Sequence, residues 1–353
     1  MSTPTPLDAA AVAAVDPTDQ IADVLAIGDH LRDAMWKAES ADLGSWDSPG
    51  GLVVAGMGGS AHGGILARAA LADQAGRPIL AARGYELPPW TTGDTTVLCA
   101  SYSGDTEETL AAFEAAGVIG ARRVVVTSGG ELARLAREEG VPVIPVAGGL
   151  QPRAAVGYLF VAVLETAAAC GAGPSLRAEV DVAAGHLDDL AREWGPAGDE
   201  QGEAKALARA LHGTIPVITG TGLTAPVAYR WKTQINENAE TPAFSGDLPE
   251  VDHNEIVGWG GAAALGRFAS VILEDCDAHP RLIRRAELTA ELIADQAAGV
   301  HRVRSRGETA VERVLSLVLL GDLTSVYLAV LGGTDPGPVD VITALKQRLA
   351  EDA

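Results

Sequence analysis

The chain has few aromatic residues and few cysteines. Phe, Trp and Tyr together make up 4% of its 353 residues, whereas apolar residues as a whole make up 47%. We therefore expect large cores built mainly from Ala, Val and Leu. The three cysteines, Cys99, Cys170 and Cys276, are far apart and form no CxxC or Cys/His cluster. This spacing predicts neither a disulfide framework nor a zinc site.

Positive charge and long apolar runs are also scarce. The sequence has 26 Lys and Arg against 47 Asp and Glu, a formal net charge of −21. This charge argues against nucleic acid or an anionic membrane as a partner, and local groups would have to hold an anionic substrate. The sequence has no uninterrupted run of 18 apolar residues and no signal-peptide pattern at its N-terminus. We therefore expect no membrane span and a cytoplasmic location.

Short apolar runs alternate with segments of helical periodicity along most of the chain. This alternation predicts an α/β protein with two doubly wound domains, each a mostly parallel sheet flanked by helices. The predicted boundaries are a flexible tail over 1–17, a first domain over 18–172 and a second over 173–353. The stretch before residue 258 is predicted to be rich in loops. Asp335-Pro336-Gly337-Pro338 separates the last helix, which is therefore free to dock on a partner subunit.

Two short loops rich in glycine and hydroxyl groups are the most informative feature. Gly56-Met57-Gly58-Gly59-Ser60 follows the apolar run 52–55, and Ser101-Tyr102-Ser103-Gly104-Asp105-Thr106 follows the run 96–100. Such loops direct backbone N–H groups and small hydroxyls to one place at the positive end of a helix, which favours phosphate. Two of them predict a phosphorylated small molecule bound at the ends of parallel strands.

Other interpretations of these loops stay open. The spacing Gly56-x-Gly58-x-x-Ala61 fits a relaxed dinucleotide fingerprint, and an NADP-linked reductase is one alternative. However, Arg83 ends the second strand, where that motif carries an acidic residue. A P-loop is not indicated because neither loop contains lysine. Both loops are also compatible with ordinary strand–helix turns capped by serine.

A polar segment between Trp231 and Trp259 supplies candidate acid–base groups. It contains Glu237 near the end of a predicted helix and His253 on the following loop. A carboxylate and a histidine that converge on one ligand can move protons from carbon and from hydroxyl groups. The simpler alternatives are a surface salt bridge for Glu237 and a structural role for His253.

Several runs together resemble the bifunctional phosphoglucose/phosphomannose isomerases, which have the sugar isomerase (SIS) fold. The runs keep their order across both predicted domains: GMGGS at 56–60, SYSGDTEET at 101–109, QPRAAVGY at 151–158, NENAETPA at 236–243, HNEIVGW at 253–259 and LKQRLA at 345–350. The resemblance implies two SIS-type domains in a homodimer. It also implies interconversion of glucose 6-phosphate, mannose 6-phosphate or both with fructose 6-phosphate through a cis-enediol. No metal or cofactor is implied.

The resemblance further implies roles for individual residues. The first loop would approach the sugar and the second would hold its phosphate, through Gly58, Gly59, Ser60, Ser101, Ser103 and Thr106. Arg153 would stabilise the charge on the enediolate, and Glu237 would move the proton between C2 and C1. His253 and Lys346 would assist ring opening, with His253 contributed by the neighbouring subunit.

The sequence departs from the family pattern near both loops. Ala61-His62 follows Ser60 where a glycine is common, and Asp105 replaces the usual asparagine, bringing a negative charge near the expected phosphate. A non-catalytic, regulatory SIS protein that binds sugar phosphate is the alternative function. The combination of Arg153, Glu237, His253 and Lys346 favours the enzyme, because a protein that only binds needs no base.

Overall fold

The computed structural model describes residues 5–351. Its first sheet has five strands in the order β2-β1-β3-β4-β5, and all neighbouring strands are parallel. The strand order reverses at β1, so the carboxyl ends of β1 and β3 flank the topological switch point, where α/β proteins usually bind ligands. The strands are β1 (Leu52–Gly56), β2 (Ile79–Ala82), β3 (Thr96–Ala100), β4 (Arg122–Thr127) and β5 (Val143–Pro145).

Helices cover both faces of this sheet and also precede it. They are α1 (Ala9–Ala13), α2 (Gln20–Leu25), α3 (Ile27–Ser40), α4 (Gly58–Leu71), α5 (Glu107–Val118), α6 (Gly130–Glu138) and α7 (Val156–Ala169). The stretch predicted as a flexible tail contains helix α1 in its described part. Asp8 caps α1 by accepting a hydrogen bond from the Ala11 amide, and Leu7 is completely buried. Residues 1–4 lie outside the described part of the chain.

The second sheet has four parallel strands in the order β7-β6-β8-β9. Its elements are β6 (Ile215–Thr221), β7 (Phe244–Leu248), β8 (Phe268–Glu274) and β9 (Gly299–Arg304), with helices α8 (Arg177–Trp194), α9 (Glu203–Leu211), α10 (Ala225–Asn238), α11 (Trp259–Leu265), α12 (Pro280–Ile293), α13 (Ala310–Gly332) and α14 (Asp340–Glu351). The structure corrects the prediction of loops before residue 258. The sequence FSGDL forms edge strand β7, although its polar, half-exposed residues lack the apolar run of a buried strand.

The predicted boundary at 172/173 lies in the turn between α7 and α8. Helix α8 packs against α3 beside the first sheet and against α13 beside the second. A single apolar cluster also continues from the first sheet to the second. The position of the domain boundary therefore stays a prediction.

Helix α13 is the central helix of the second unit. A capping box starts it: the Glu312 amide donates to the Thr309 hydroxyl, while the Thr309 amide donates to the Glu312 carboxylate. The helix is long and apolar enough to cross a membrane, but 94% of its most apolar window is buried inside the protein. It packs against α8, α9 and α10, which is the arrangement of a core helix.

Helix α10 lies unusually close to α13. A Cβ atom at Gly321 would be 2.2 Å from Nε1 of Trp231, so only glycine fits at this position. The Trp231 indole donates a hydrogen bond of 2.7 Å to the Leu317 carbonyl. This contact fixes the position of α10, which carries Glu237.

Candidate active site

The two hydroxyl loops meet at the carboxyl ends of β1 and β3, as predicted. The strands are in register up to their last pair, Gly56 with Ala100, so the loops leave the sheet side by side. The hydroxyl of Ser60, in the first turn of α4, accepts a hydrogen bond of 3.2 Å from the Tyr102 amide. The first loop is thereby fastened to the second.

Three predicted hydroxyls line the second loop. The Ser101 hydroxyl lies 2.9 Å from the Thr106 hydroxyl and accepts from the Gly104 amide at 3.0 Å. The Ser103 hydroxyl accepts from the Asp105 amide at 3.2 Å. Thr106 precedes α5, yet its side chain makes no capping bond to that helix. The first amides of α5 thus keep their donors for a ligand.

Asp105 points away from this cradle. Its carboxylate accepts a hydrogen bond of 2.9 Å from the Glu131 amide, in the first turn of α6. The positive end of that helix therefore balances the negative charge that the sequence placed beside the expected phosphate. Gly104 permits this arrangement because it has φ of 79° and because a Cβ there would lie 1.9 Å from the Gly129 carbonyl.

Arg153 is buried between the two units, just before α7. Its Nε donates to the Asn238 side chain at 2.7 Å, and Nη2 donates to the carbonyl of Gly337 at 2.9 Å and to that of Pro336. A Cβ at Gly59 would lie 3.0 Å from the Pro152 carbonyl, so the first glycine loop runs directly beside Arg153. The loop, the guanidinium and the end of α10 therefore share one location.

Glu237 faces this guanidinium from the last turn of α10. Its Oε2 lies 3.8 Å from Nη1 of Arg153, and 31% of its side chain is exposed. Burial raises the pKa of Glu237 above its ordinary value, whereas the charges of Arg153 and Arg230 oppose that rise. The arrangement places a partly accessible carboxylate beside a cation with little freedom to move.

A buried polar network holds these groups in place. Arg230 forms a two-pronged pair with Asp322 at 3.0 and 2.6 Å, and its Nη2 also donates to the Arg153 carbonyl at 3.0 Å. The side-chain amide of Asn238 donates a hydrogen bond of 2.8 Å to the Ser325 hydroxyl. The sequence analysis did not predict this network. The charged residue Asp322 in the middle of the apolar helix α13 was a signal for it, because a buried charge needs a partner.

His253 and Lys346 are exposed and form no hydrogen bond or ion pair with Glu237 within residues 5–351. His253 is exposed in a short 3-10 turn over Glu250–His253, and Lys346 is exposed on α14. Within residues 5–351, neither side chain has a hydrogen-bond or ion-pair partner in this chain. Neighbouring Asp252 instead accepts from Thr289 at 2.8 Å and from Arg285 at 3.1 Å, so it supports the fold locally. The roles of His253 and Lys346 stay predictions.

The described part of the chain contains no group of three or more His, Cys, Asp and Glu residues placed to bind a metal ion. The charged side chains in contact at the site are those of Glu237 and Arg153. Cys99 and Cys170 are buried and unpaired, and Cys276 is unpaired and exposed.

Comparison with known proteins points to one family. A family model described as the bacterial phospho-glucose isomerase C-terminal SIS domain matches residues 200–349. A bifunctional phosphoglucose/phosphomannose isomerase from Caldicellulosiruptor bescii is 39% identical over 303 residues, covering 85% of this chain and 89% of the relative. One from Aquifex aeolicus is 35% identical over 319 residues, covering 90% of this chain and 95% of the relative. The chain belongs to the bifunctional phosphoglucose/phosphomannose isomerase family.

Solved structures agree with the fold of this family member. The crystal structure of a glucose-6-phosphate isomerase like protein from Thermus thermophilus matches with a TM-score of 0.62 at 20% identity, covering 97% of this chain and 99% of that chain. The likeness concerns the fold alone. Together with the match to the C-terminal SIS model, it confirms the predicted class of two SIS-type units, each a parallel sheet flanked by helices.

Proposed function

We propose that this protein is an aldose–ketose isomerase that interconverts glucose 6-phosphate, mannose 6-phosphate or both with fructose 6-phosphate through a cis-enediol. One observation carries the proposal: Glu237 lies 3.8 Å from the buried Arg153 guanidinium, at the place reached by the first glycine loop. A base, a cation and a phosphate cradle are the groups that this reaction requires.

The cradle would bind the far end of the open-chain sugar. Hydroxyls of Ser101, Ser103 and Thr106 and the free amides of α5 would hold the phosphate. The first loop, through Gly58, Gly59 and Ser60, would lie along the sugar. Binding the phosphate fixes C1 and C2 relative to Glu237, which converts part of the binding energy into orientation.

Glu237 would then remove the weakly acidic proton from C2 of the aldose and return it to C1. The proton moves to the carboxylate while the C2–H electron pair forms the C1–C2 double bond, and negative charge develops on the carbonyl oxygen O1. O1 takes up the proton of the C2 hydroxyl, so that the C2 carbonyl forms when the carboxylic acid returns its proton to C1. Arg153 would face the charge that develops on O1. Its Nε and Nη2 bind Asn238 and the main chain, so the guanidinium is oriented before the reaction begins.

The same intermediate accounts for both aldoses. Glucose 6-phosphate and mannose 6-phosphate differ only in the configuration at C2, and C2 is planar in the enediol. Returning the proton to opposite faces of C2, after rotation about C2–C3, would yield one aldose or the other. A single base and a single cation therefore suffice for both products.

We also propose a homodimer in which α14 docks on a second copy of the chain. Three apolar residues at four-residue spacing lie exposed along one face of α14: Val341 at 84%, Leu345 at 58% and Leu349 at 49%. A row of this kind favours a protein partner. Leu345→Glu should shift the species measured by light scattering to a monomer, whereas Gln347→Glu on the same helix should not. A wild-type monomer would contradict the proposal.

Shared sites can be tested by mixing two inactive variants. If His253 enters the site of the neighbouring subunit, a Glu237→Gln subunit paired with a His253→Ala subunit contains one complete site. Random pairing should then restore about a quarter of wild-type activity. A mixture no more active than its separate components would contradict a shared His253. The cytoplasmic location stays a prediction from the sequence.

The enzyme itself is tested by giving purified protein fructose 6-phosphate in the presence of a chelator. We expect glucose 6-phosphate, mannose 6-phosphate or both to accumulate. Thermal stabilisation by fructose 6-phosphate without either product would instead support the regulatory alternative, a protein that binds sugar phosphate and does no chemistry.

A further inference from the structure

His62 is a buried polar side chain that the proposed reaction does not use. It lies in the second turn of α4, one turn after Gly58, and only 4% of the residue is exposed. Its side chain lies on the side of α4 that packs against α10, so it is at the contact between a helix of the first sheet and a helix of the second. Buried polar groups are rarely left without partners, so its contacts indicate its role.

Three contacts surround the imidazole. Nδ1 lies 2.7 Å from the Gly58 carbonyl oxygen, and Nε2 lies 3.5 Å from the Thr233 hydroxyl. The ring stacks on Tyr229, with centroids 5.1 Å apart and an angle of 21° between the planes. His62 thus touches the glycine loop on one side and two successive turns of α10 on the other.

These contacts specify one tautomer. A carbonyl oxygen only accepts hydrogen bonds, so Nδ1 must carry the proton and donate to Gly58. Nε2 is then unprotonated and faces the Thr233 hydroxyl, which donates to the Arg230 carbonyl at 2.8 Å. The link from His62 to α10 is therefore packing against Thr233 and the stacked ring of Tyr229. Burial lowers the pKa of His62 to about 3, and the nearby cations Arg230, Arg83 and Lys232 act in the same direction. The ring is therefore neutral at neutral pH and is unsuited to donating a proton to substrate.

We propose that His62 is a positioning residue that ties the Gly58 carbonyl to α10 and thereby sets the separation between the sugar-binding loop and Glu237. Thr233 and Glu237 are four residues apart on α10, so they lie on the same side of the helix in successive turns. Gly58, whose carbonyl accepts the hydrogen bond from His62, has φ of 49°, a left-handed conformation that favours glycine. This inference rests on the proposed isomerase function.

The first test compares two substitutions in the full-length protein. His62→Phe keeps an aromatic ring but removes the donor to Gly58, whereas His62→Asn keeps a donor near the place of Nδ1. We expect kcat for fructose 6-phosphate to fall about 10-fold or more in His62→Phe, with a smaller change in KM, because alignment matters most for proton transfer. His62→Asn should stay within about threefold of wild type.

A purely structural role would give a different pattern. It would lower the melting temperature of His62→Phe while leaving kcat and KM near their wild-type values. That result, or a His62→Asn variant as slow as His62→Phe, would overturn the proposal. Tyr229→Leu serves as a second variant, since it removes the ring that stacks on His62 from the α10 side and should also lower kcat more than it raises KM.

A spectroscopic test does not depend on activity. Long-range ¹H–¹⁵N spectra of the wild-type protein labelled in histidine should show His62 with a proton on Nδ1 and no titration between pH 5 and 9. A proton on Nε2, or titration in that range, would overturn the proposal even if His62→Phe failed to fold. Absence of isomerisation by the wild type would instead count against the proposed function, and the tautomer would still be measurable.

Discussion

Both sheets contain a strand, a glycine turn and a helix at the point where the strand order reverses, but the polar groups of the two turns have different partners. In the first sheet, the Ser60 hydroxyl binds the amide of the neighbouring loop, and Thr106 leaves the start of α5 uncapped. In the second, the Thr224 hydroxyl accepts from the Thr221 amide and donates to the Leu273 carbonyl, each at 2.8 Å.

This difference in hydrogen bonding indicates different roles for the two units. The two hydroxyl loops of the first sheet leave amide donors free, whereas the turn of the second sheet satisfies its own hydroxyls and acts as a structural turn. The second unit contributes to the site from the opposite end of α10, through Glu237. One supersecondary unit thus leaves amide donors free in one copy and, in the other, positions a helix whose far end carries Glu237, the proposed base.

The largest effect should come from removing the base. Glu237→Gln keeps the shape of the side chain but cannot accept a proton from carbon, so kcat should fall by about 10²- to 10⁴-fold. Glu240→Gln, at an exposed position just beyond the end of α10, is the matched control and should be unaffected. Steady-state kinetics measure both, and a Glu237→Gln enzyme with full activity would remove Glu237 as the base.

The comparison of the first sheet's hydroxyl loops with the second sheet's turn is tested next by deleting one hydroxyl in each. Ser101→Ala removes a group expected to hold the phosphate and should raise KM for fructose 6-phosphate about 10-fold or more. Thr224→Val should leave KM unchanged but reduce the free energy of unfolding by about 1–3 kcal/mol, since two buried partners lose their hydrogen bond. If Thr224→Val raised KM as much as Ser101→Ala, the two turns would not differ as described.

The close packing that places α10 should show a smaller, purely structural effect. Gly321→Ala puts a methyl group against Trp231 and should lower the free energy of unfolding by about 1–3 kcal/mol. Gly332→Ala, near the end of the same helix, meets no atom closer than 3.7 Å. It should be neutral or slightly stabilising in denaturant titrations, because alanine favours helix more than glycine does. Equal effects of the two substitutions would contradict the packing described.

The smallest expected effect is on the pH dependence of kcat/KM. Glu237 must be ionised to act as a base, so activity should decline as pH falls through its pKa, which burial raises above the ordinary value. The charge of Arg153 opposes that rise, so Arg153→Gln should move the acidic limb of the kcat/KM profile to higher pH. Arg153→Lys keeps the charge and should leave the limb nearer its wild-type position. A shift to lower pH in Arg153→Gln would contradict this electrostatic coupling.

The sequence was sufficient to predict the strands that were apolar throughout and the loops that follow them. Buried strands β1 and β3 have uninterrupted apolar runs, and glycine with serine marks where each ends. Edge strand β7 was missed because it is polar and half exposed, and α1 was missed because only a few residues anchor it. Short elements of this kind depend on tertiary contacts that no local pattern encodes.

In the candidate site too, the sequence predicted some of the residues but not the contacts between them. Glu237 was a candidate from its polar segment and Arg153 from the family resemblance, and the structure brings them together from positions 84 residues apart in sequence. The direction of the Asp105 side chain depends on the distant α6, and the pairing of Arg230 with Asp322 depends on how α10 meets α13. Such contacts are products of packing, so sequence patterns could not have supplied them.

The central claim is that Glu237 transfers a proton through a cis-enediol, and isomerisation in D₂O tests it most directly. During prolonged incubation of wild-type protein with fructose 6-phosphate, deuterium should enter C1 of the ketose and C2 of the aldose products, as followed by NMR. Glu237→Gln should show no such exchange while still binding the substrate. Formation of aldose phosphates that never acquire deuterium, or exchange that persists in Glu237→Gln, would contradict the account.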